Sequence, residues 1–163
     1  MKRQGSGSIV NVTSGALMGL EGMGAYGATK GAVASLTYSW AAENAGTGIR
    51  VNAVSPVGAS HMQEQRKQYQ GGNPSTEPPA EANAPVLCYL LSDLAAEING
   101  QIIRTVGRSL LLIAHPGVAL PVLDDEWTVE SIARAFETDL KARQFPSGIL
   151  GMVTEVVGEA NQL

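Results

Sequence analysis

The chain has 163 residues, 44% of them hydrophobic and 16% charged, with a net charge of −4. That is enough apolar material for one domain, while the scattered Lys and Arg leave no basic footprint for nucleic acid. The longest aliphatic run, 110–114, is far too short to span a membrane, and no apolar segment follows Lys2-Arg3 as a secretory leader requires. The chain therefore reads as a cytoplasmic α/β protein with no nucleic-acid and no membrane partner. The single Cys88 can form no internal disulfide and reads as a core residue of an apolar helix. His61 and His115 lack ligand spacing, so no metal site is expected.

In chain order, residues 9–14 are β-branched or small and predict a buried strand over 9–13 that runs out into a turn. Gly15, Gly19, Gly22 and Gly24 then loosen the chain into a loop. From Ala25 an alanine-rich segment predicts a helix over 25–44, ended by Gly46 and Gly48. Gly27, Ala28, Gly31, Ala32, Ala34 and Ser35 give this helix small faces, and Val33, Leu36 and Trp40 an apolar stripe. One side is expected to pack on a sheet and another on a second subunit. A helix of that length suits a crossover to a parallel strand at 49–54.

The stretch 70–84 carries three prolines and two glycines, which argues against regular structure over most of it. A helix follows from about residue 84 to 93, with Pro85 tolerated in its first turn. Residues 101–106 predict the last parallel strand, which 110–113 either widens or joins as a hairpin. Beyond Asp124-Asp125-Glu126-Trp127-Thr128, a helix to about residue 141 places Val129, Ile132, Ala133, Phe136 and Leu140 on one face. Acids lead it and Lys141 and Arg143 close it, as the helix dipole favours. Trp127 and Phe136 are expected to dock this helix. The organisation expected is a first unit, 1–115, and a C-terminal extension, 116–163.

The chemistry concentrates in Ser14, Tyr26 and Lys30. Tyr26 and Lys30 are four apart, so on a helix both side chains leave one face and meet. A free phenol titrates near ~10, too high for a base at neutral pH, and a neighbouring ammonium favours the phenolate. Ser14, at the strand end, is placed to hold a substrate oxygen while Tyr26 gives or takes its proton. Thr13 is the alternative hydroxyl for that role. Gly22-Met23-Gly24-Ala25-Tyr26-Gly27 also matches G-x-G-x-x-G. A dinucleotide turn follows its strand directly, whereas about eight residues intervene here, and the next strand ends in Ser55-Pro56 with no acid for a ribose. That match reads as a coincidence.

The segment 9–30 resembles the active-site region of the short-chain dehydrogenases/reductases. Ile49-Arg50-Val51-Asn52-Ala53-Val54-Ser55-Pro56, Pro85-Val86-Leu87-Cys88-Tyr89-Leu90-Leu91-Ser92-Asp93 and Asn99-Gly100-Gln101-Ile102-Ile103 resemble that family's later blocks, in order, across about 7–107. The resemblance implies a partial doubly wound, Rossmann-like parallel sheet of three or four strands with flanking helices. It implies hydride transfer between NAD or NADP and a small carbonyl or alcohol substrate. Ser14, Tyr26 and Lys30 would be catalytic, and Tyr26, Lys30, Pro56, Val57 and Ser60 would face the cofactor. It also implies that the glycine-rich dinucleotide-binding half lies outside this chain, with 1–5 as the end of the helix before the active-site strand. Two expectations follow: little turnover by the isolated chain, and a homo-oligomer formed through helix 25–44 or through the sheet edge left open at 9–13. The alternative is a non-catalytic fragment that associates with itself or a partner.

Overall fold

The computed structural model describes residues 1–59, 77–117 and 121–144. The chain divides into two compact units, Met1–Ile113 and Ala114–Leu163. Ser60, residues 70–76 of the proline-rich stretch 70–84 and everything beyond residue 144 lie outside the described residues.

The first unit is built on a four-stranded sheet in the order β1 (Gly7–Val12), β2 (Ile49–Ser55), β3 (Ile102–Val106), β4 (Ser109–Ile113). The first three strands run parallel and β4 returns antiparallel on β3, so 110–113 both widens the sheet and forms a hairpin. Between β1 and β2 lies helix α1 (Gly24–Glu43), and a shorter helix, α2 (Ala84–Leu91), precedes β3. This is the partial doubly wound α/β architecture expected.

Side-chain alternation sorts the core onto two faces. Ile49, Val51 and Ala53 of β2, with Ile9 of β1 and Ile102 of β3, cluster with Ala34 and Ala41 of α1. Val54, Val10 and Ile103 point the other way and cluster with Val86, Leu87 and Leu90 of α2. β2 is covered on both faces and is almost wholly buried.

Two asparagines, Asn52 buried and Asn99 half-buried, lock the sheet. Asn52 donates to the Ile98 carbonyl at 2.7 Å and accepts from the Gln101 N–H at 2.9 Å. Asn99 accepts from the Val51 N–H at 2.9 Å and donates to the Ala41 carbonyl at 3.2 Å. Each satisfies backbone groups that irregular segments would otherwise leave unpaired. These polar residues in the apolar blocks are structural.

Several expectations need correcting. The strand at 9–13 begins at Gly7, and none of β1 is fully buried, because β1 is the sheet edge in the described chain. In α1 the sheet-facing seam is Ala34, Thr37 and Ala41, while Leu36 and Trp40 are exposed. Close approach to the sheet selects small residues, so the bulky stripe falls outside. Cys88 is exposed, because α2 turns Val86 and Leu90 inward. Residues 2–4 form a single 3-10 turn.

In the second unit, Thr128 caps helix α3 (Val129–Ala135) through a reciprocal capping box with Ser131. A π-helical turn, Phe136–Leu140, continues it. Of its expected apolar face, Val129, Ile132 and Phe136 are exposed, as is Trp127, and Ser131 is the buried residue.

Candidate active site

Parallel sheets bind ligands at the carboxyl ends of their strands, and the candidate residues gather there. β1 ends at Val12, and the Thr13 N–H still donates to Val54 of β2 at 2.8 Å. Ser14 then caps a 3-10 turn, Gly15–Met18, its Oγ accepting from the Ala16 N–H at 3.3 Å. This turn packs directly against the first turn of α1. At Gly27 a β carbon would fall 2.7 Å from the Ala16 carbonyl oxygen, so only glycine allows the approach. The Ser14 turn and the Tyr26 turn are thereby held together, and no hydrogen bond joins Ser14 to Tyr26.

The Lys30 ammonium donates to the Val12 carbonyl at 3.1 Å and lies 5.6 Å from the centroid of the Tyr26 ring. The expected Tyr26–Lys30 pairing on one helical face is therefore present, as a cation over an aromatic ring. The Tyr26 side chain is partly exposed, 38%, and its hydroxyl has no hydrogen-bond partner among the described residues. Thr13 is excluded from the oxygen-holding role: it is buried and its hydroxyl donates to the Lys30 carbonyl at 2.8 Å. Asn11 and Thr37 add a further tie between β1 and α1, at 3.0 Å.

After β2 the chain passes through Pro56 and Val57. The Val57 N–H donates to the Thr105 carbonyl at 3.1 Å, and its carbonyl accepts from Asn83 Nδ2 at 3.1 Å. The Ala59 N–H donates to the Pro78 carbonyl at 2.8 Å. Buried Asn83 also accepts from the Thr105 hydroxyl, so one side chain joins the loop after β2, the start of α2 and β3. Asn83 was not singled out from sequence: an asparagine in a proline-rich stretch looks like loop filler until its partners are known. Ser60 lies outside the described residues.

Sequence reasoning also passed over Arg104. Its Nη1 donates to the Ser55 hydroxyl at 2.9 Å, and its guanidinium lies against Gly15, the residue after Ser14. Burial pushes Arg104 below the ordinary arginine value. A charged residue in β3, the last parallel strand, was the available signal. By contrast, a groove of about 380 Å³ lined by Asn44, Arg50, Asp93 and Asn99 lies at the amino ends of the strands, away from these groups. Among the described residues no His, Cys, Asp or Glu cluster could hold a metal. None of their helices is long and apolar enough to cross a membrane.

The family model described as Enoyl-(Acyl carrier protein) reductase matches residues 1–107. YjdA of Bacillus subtilis, an uncharacterized oxidoreductase, is 40% identical over 110 residues, covering 63% of this chain and 43% of its own. Levodione reductase of Leifsonia aquatica is 32% identical over 123 residues, covering 66% of this chain and 46% of its own. The crystal structure of a short-chain dehydrogenase from Mycobacterium avium superposes with a TM-score of 0.69 at 26% identity, over 90% of this chain and 48% of that one. The chain belongs to the short-chain dehydrogenase/reductase family, a family of oxidoreductases. It spans about half the length of the curated relatives it matches.

The nicotinamide dinucleotide used in this family is tested by the donors present. Tyr26 offers an unpartnered hydroxyl, and Lys30 retains N–H donors beyond the one given to Val12. Both fit the ribose hydroxyls at the nicotinamide end. The Val57 and Ala59 N–H groups are already bonded within the chain, leaving Pro56 and Val57 to offer apolar surface.

Proposed function

We propose that this chain carries the catalytic half of an NAD- or NADP-dependent dehydrogenase/reductase acting on a small carbonyl or alcohol. The observation that carries the reading is the Lys30 ammonium 5.6 Å from the Tyr26 ring, on a helix packed against the Ser14 turn. Relatives named reductase and dehydrogenase support the reaction class. The bound cofactor supplies or accepts the hydride. Tyr26 transfers the proton of the substrate hydroxyl, and Ser14 holds the substrate oxygen. Lys30 binds the ribose beside the Tyr26 phenol. Ser14 Oγ accepts from the Ala16 N–H at 3.3 Å, which leaves its O–H to donate to a substrate oxygen.

The adenosine and pyrophosphate of the cofactor would be held by a dinucleotide-binding half that pairs with β1, so the isolated chain turns over little. The test joins this chain to the N-terminal half of levodione reductase and follows NADH and NADPH oxidation against a carbonyl panel. The joined protein is expected to be active, and Tyr26→Phe to lower turnover by about 100-fold or more. Normal activity in Tyr26→Phe overturns the reading, as does tight NADH binding with full turnover by the isolated chain. The second reading, a self-associating fragment, draws on the open edge of β1 and on exposed Leu36 and Trp40 of α1. Either surface would serve a homo-oligomer.

A further inference from the structure

Arg104 and Arg50 face the same problem of a half-buried guanidinium and solve it differently. Arg50 spends Nη1 on the Leu90 carbonyl and Nη2 on the Ser92 carbonyl, each at 3.0 Å, closing the end of α2. That is a structural arginine with its donors used. Arg104 makes one hydrogen bond, from Nη1 to Ser55 Oγ, and pairs with no carboxylate among the described residues. Of the five N–H donors of a guanidinium, the others are unspent among the described residues.

Its position is specific. Arg104 stands opposite Ser55 in the β2–β3 register, toward the carboxyl ends of both strands. Strand alternation puts it on the side of Ile102, which packs against Ala34 of α1, the helix that carries Tyr26 and Lys30. The guanidinium lies so close to Gly15 that a β carbon there would come within 2.7 Å of Cζ and 3.0 Å of Nη2. A part-buried cation beside the Ser14 turn, with spare donors and no carboxylate partner among the described residues, can receive an anion. Its depressed ionisation comes from loss of water around the charge.

We propose that Arg104 is the anion-recognising residue of this site, and that the substrate is a hydroxy or oxo acid whose carboxylate reaches Arg104 while its hydroxyl or carbonyl lies at Ser14 and Tyr26. Planar, bidentate donors suit a carboxylate, and the absence of a side chain at Gly15 lets the guanidinium lie against the Ser14 turn. The inference rests on the oxidoreductase reading for the identity of the second group but predicts binding on its own.

The experiment measures binding without turnover. The full chain, labelled with nitrogen-15, is titrated with lactate and 3-hydroxybutyrate and with the methyl ester of each, following the arginine Nε–H signals by NMR. At least one acid is expected to bind about tenfold more tightly than its ester, as one charge-assisted interaction would give, to shift the Arg104 signal, and to weaken with salt. R104M is expected to remove the preference while ester binding stays, and R104K to retain a reduced preference. R104Q replaces R104M if the latter unfolds. Equal binding of acid and ester, no binding of any acid, or a preference unchanged in R104M or R104Q overturns the proposal. The outcomes separate the two readings. Carboxylate selectivity together with an active Tyr26→Phe joined enzyme would sink only the oxidoreductase reading. An active joined enzyme with equal binding of acid and ester would sink only this one.

Discussion

Lys30 donates its ammonium to the main-chain carbonyl of Val12 at 3.1 Å, so the residue beside Tyr26 also ties helix α1 to the sheet edge. Gly7 and Thr13 direct their N–H groups at β2, and the period of two sends those of Ser8, Val10 and Val12 to the open side. The Val12 carbonyl that Lys30 engages lies on that same open side. Lys30 thereby occupies the last outward acceptor of β1.

Replacing Lys30 therefore has two expected consequences. Lys30→Met should cost about 1 kcal/mol in urea unfolding, the net worth of one hydrogen bond. In the joined enzyme it should also raise the KM for NADH and lower kcat. Lys30→Arg should recover most of the stability and little of the activity, since a planar guanidinium does not reproduce the compact ammonium. Full activity in Lys30→Met would detach Lys30 from the chemistry.

The open edge should drive association. A proline at position 12 removes an outward donor and spares the bonds to β2, which edge strands tolerate. Val12→Pro is expected to shift the sedimentation or light-scattering mass toward monomer with the circular dichroism spectrum unchanged. If the wild-type chain is already monomeric at high concentration, the edge is not the associating surface.

Gly27 and Gly31 are one helical turn apart and should respond in opposite directions. A β carbon at Gly27 meets the Ala16 carbonyl oxygen, whereas at Gly31 nothing lies within 4 Å. Gly27→Ala should destabilise by about 1–3 kcal/mol, as overpacking does, and displace the Ser14 turn. Gly31→Ala should stabilise by roughly 0.5–1 kcal/mol through helix propensity. Equal effects would mean that the Gly27–Ala16 contact gives way easily.

Asn52 is fully buried and bonds both Ile98 and Gln101. Asn52→Ala leaves a buried carbonyl and a buried N–H unpaired, and roughly 2–4 kcal/mol of destabilisation is expected from thermal or urea unfolding. Asn52→Asp should fare no better, because it keeps the acceptor and places a charge in the core.

Where local pattern carries the information, the chain was readable. Alternating β-branched runs marked the strands to within two residues. Gly46 and Gly48 marked the end of α1: Gly48 has φ 76 and lies so close to the Gly5 carbonyl that a side chain would collide. The four-residue spacing put Tyr26 beside Lys30. The small residues of α1 signalled the face that meets the sheet. Leu36 and Trp40 are outside and Ala34, Thr37 and Ala41 inside, because helix-to-sheet distance favours small side chains. Cys88 was expected in the core as a free thiol in an apolar helix, and is exposed because α2 turns Val86 and Leu90 inward.

Residue order alone was enough to establish the element types, the β-α-β succession and the Tyr26–Lys30 pair, because these depend on neighbours within a turn or on a repeat of two. Folding decided which hydroxyl was free: Thr13 is consumed by the Lys30 carbonyl, while Ser14 caps a turn through a contact of 3.3 Å. It also made Arg104 a neighbour of Gly15 and Asn83 the tie between Val57 and Thr105. Such contacts join residues tens of positions apart, and no local periodicity records them. They exist only once parallel strands lie side by side and bring their carboxyl ends to a common rim.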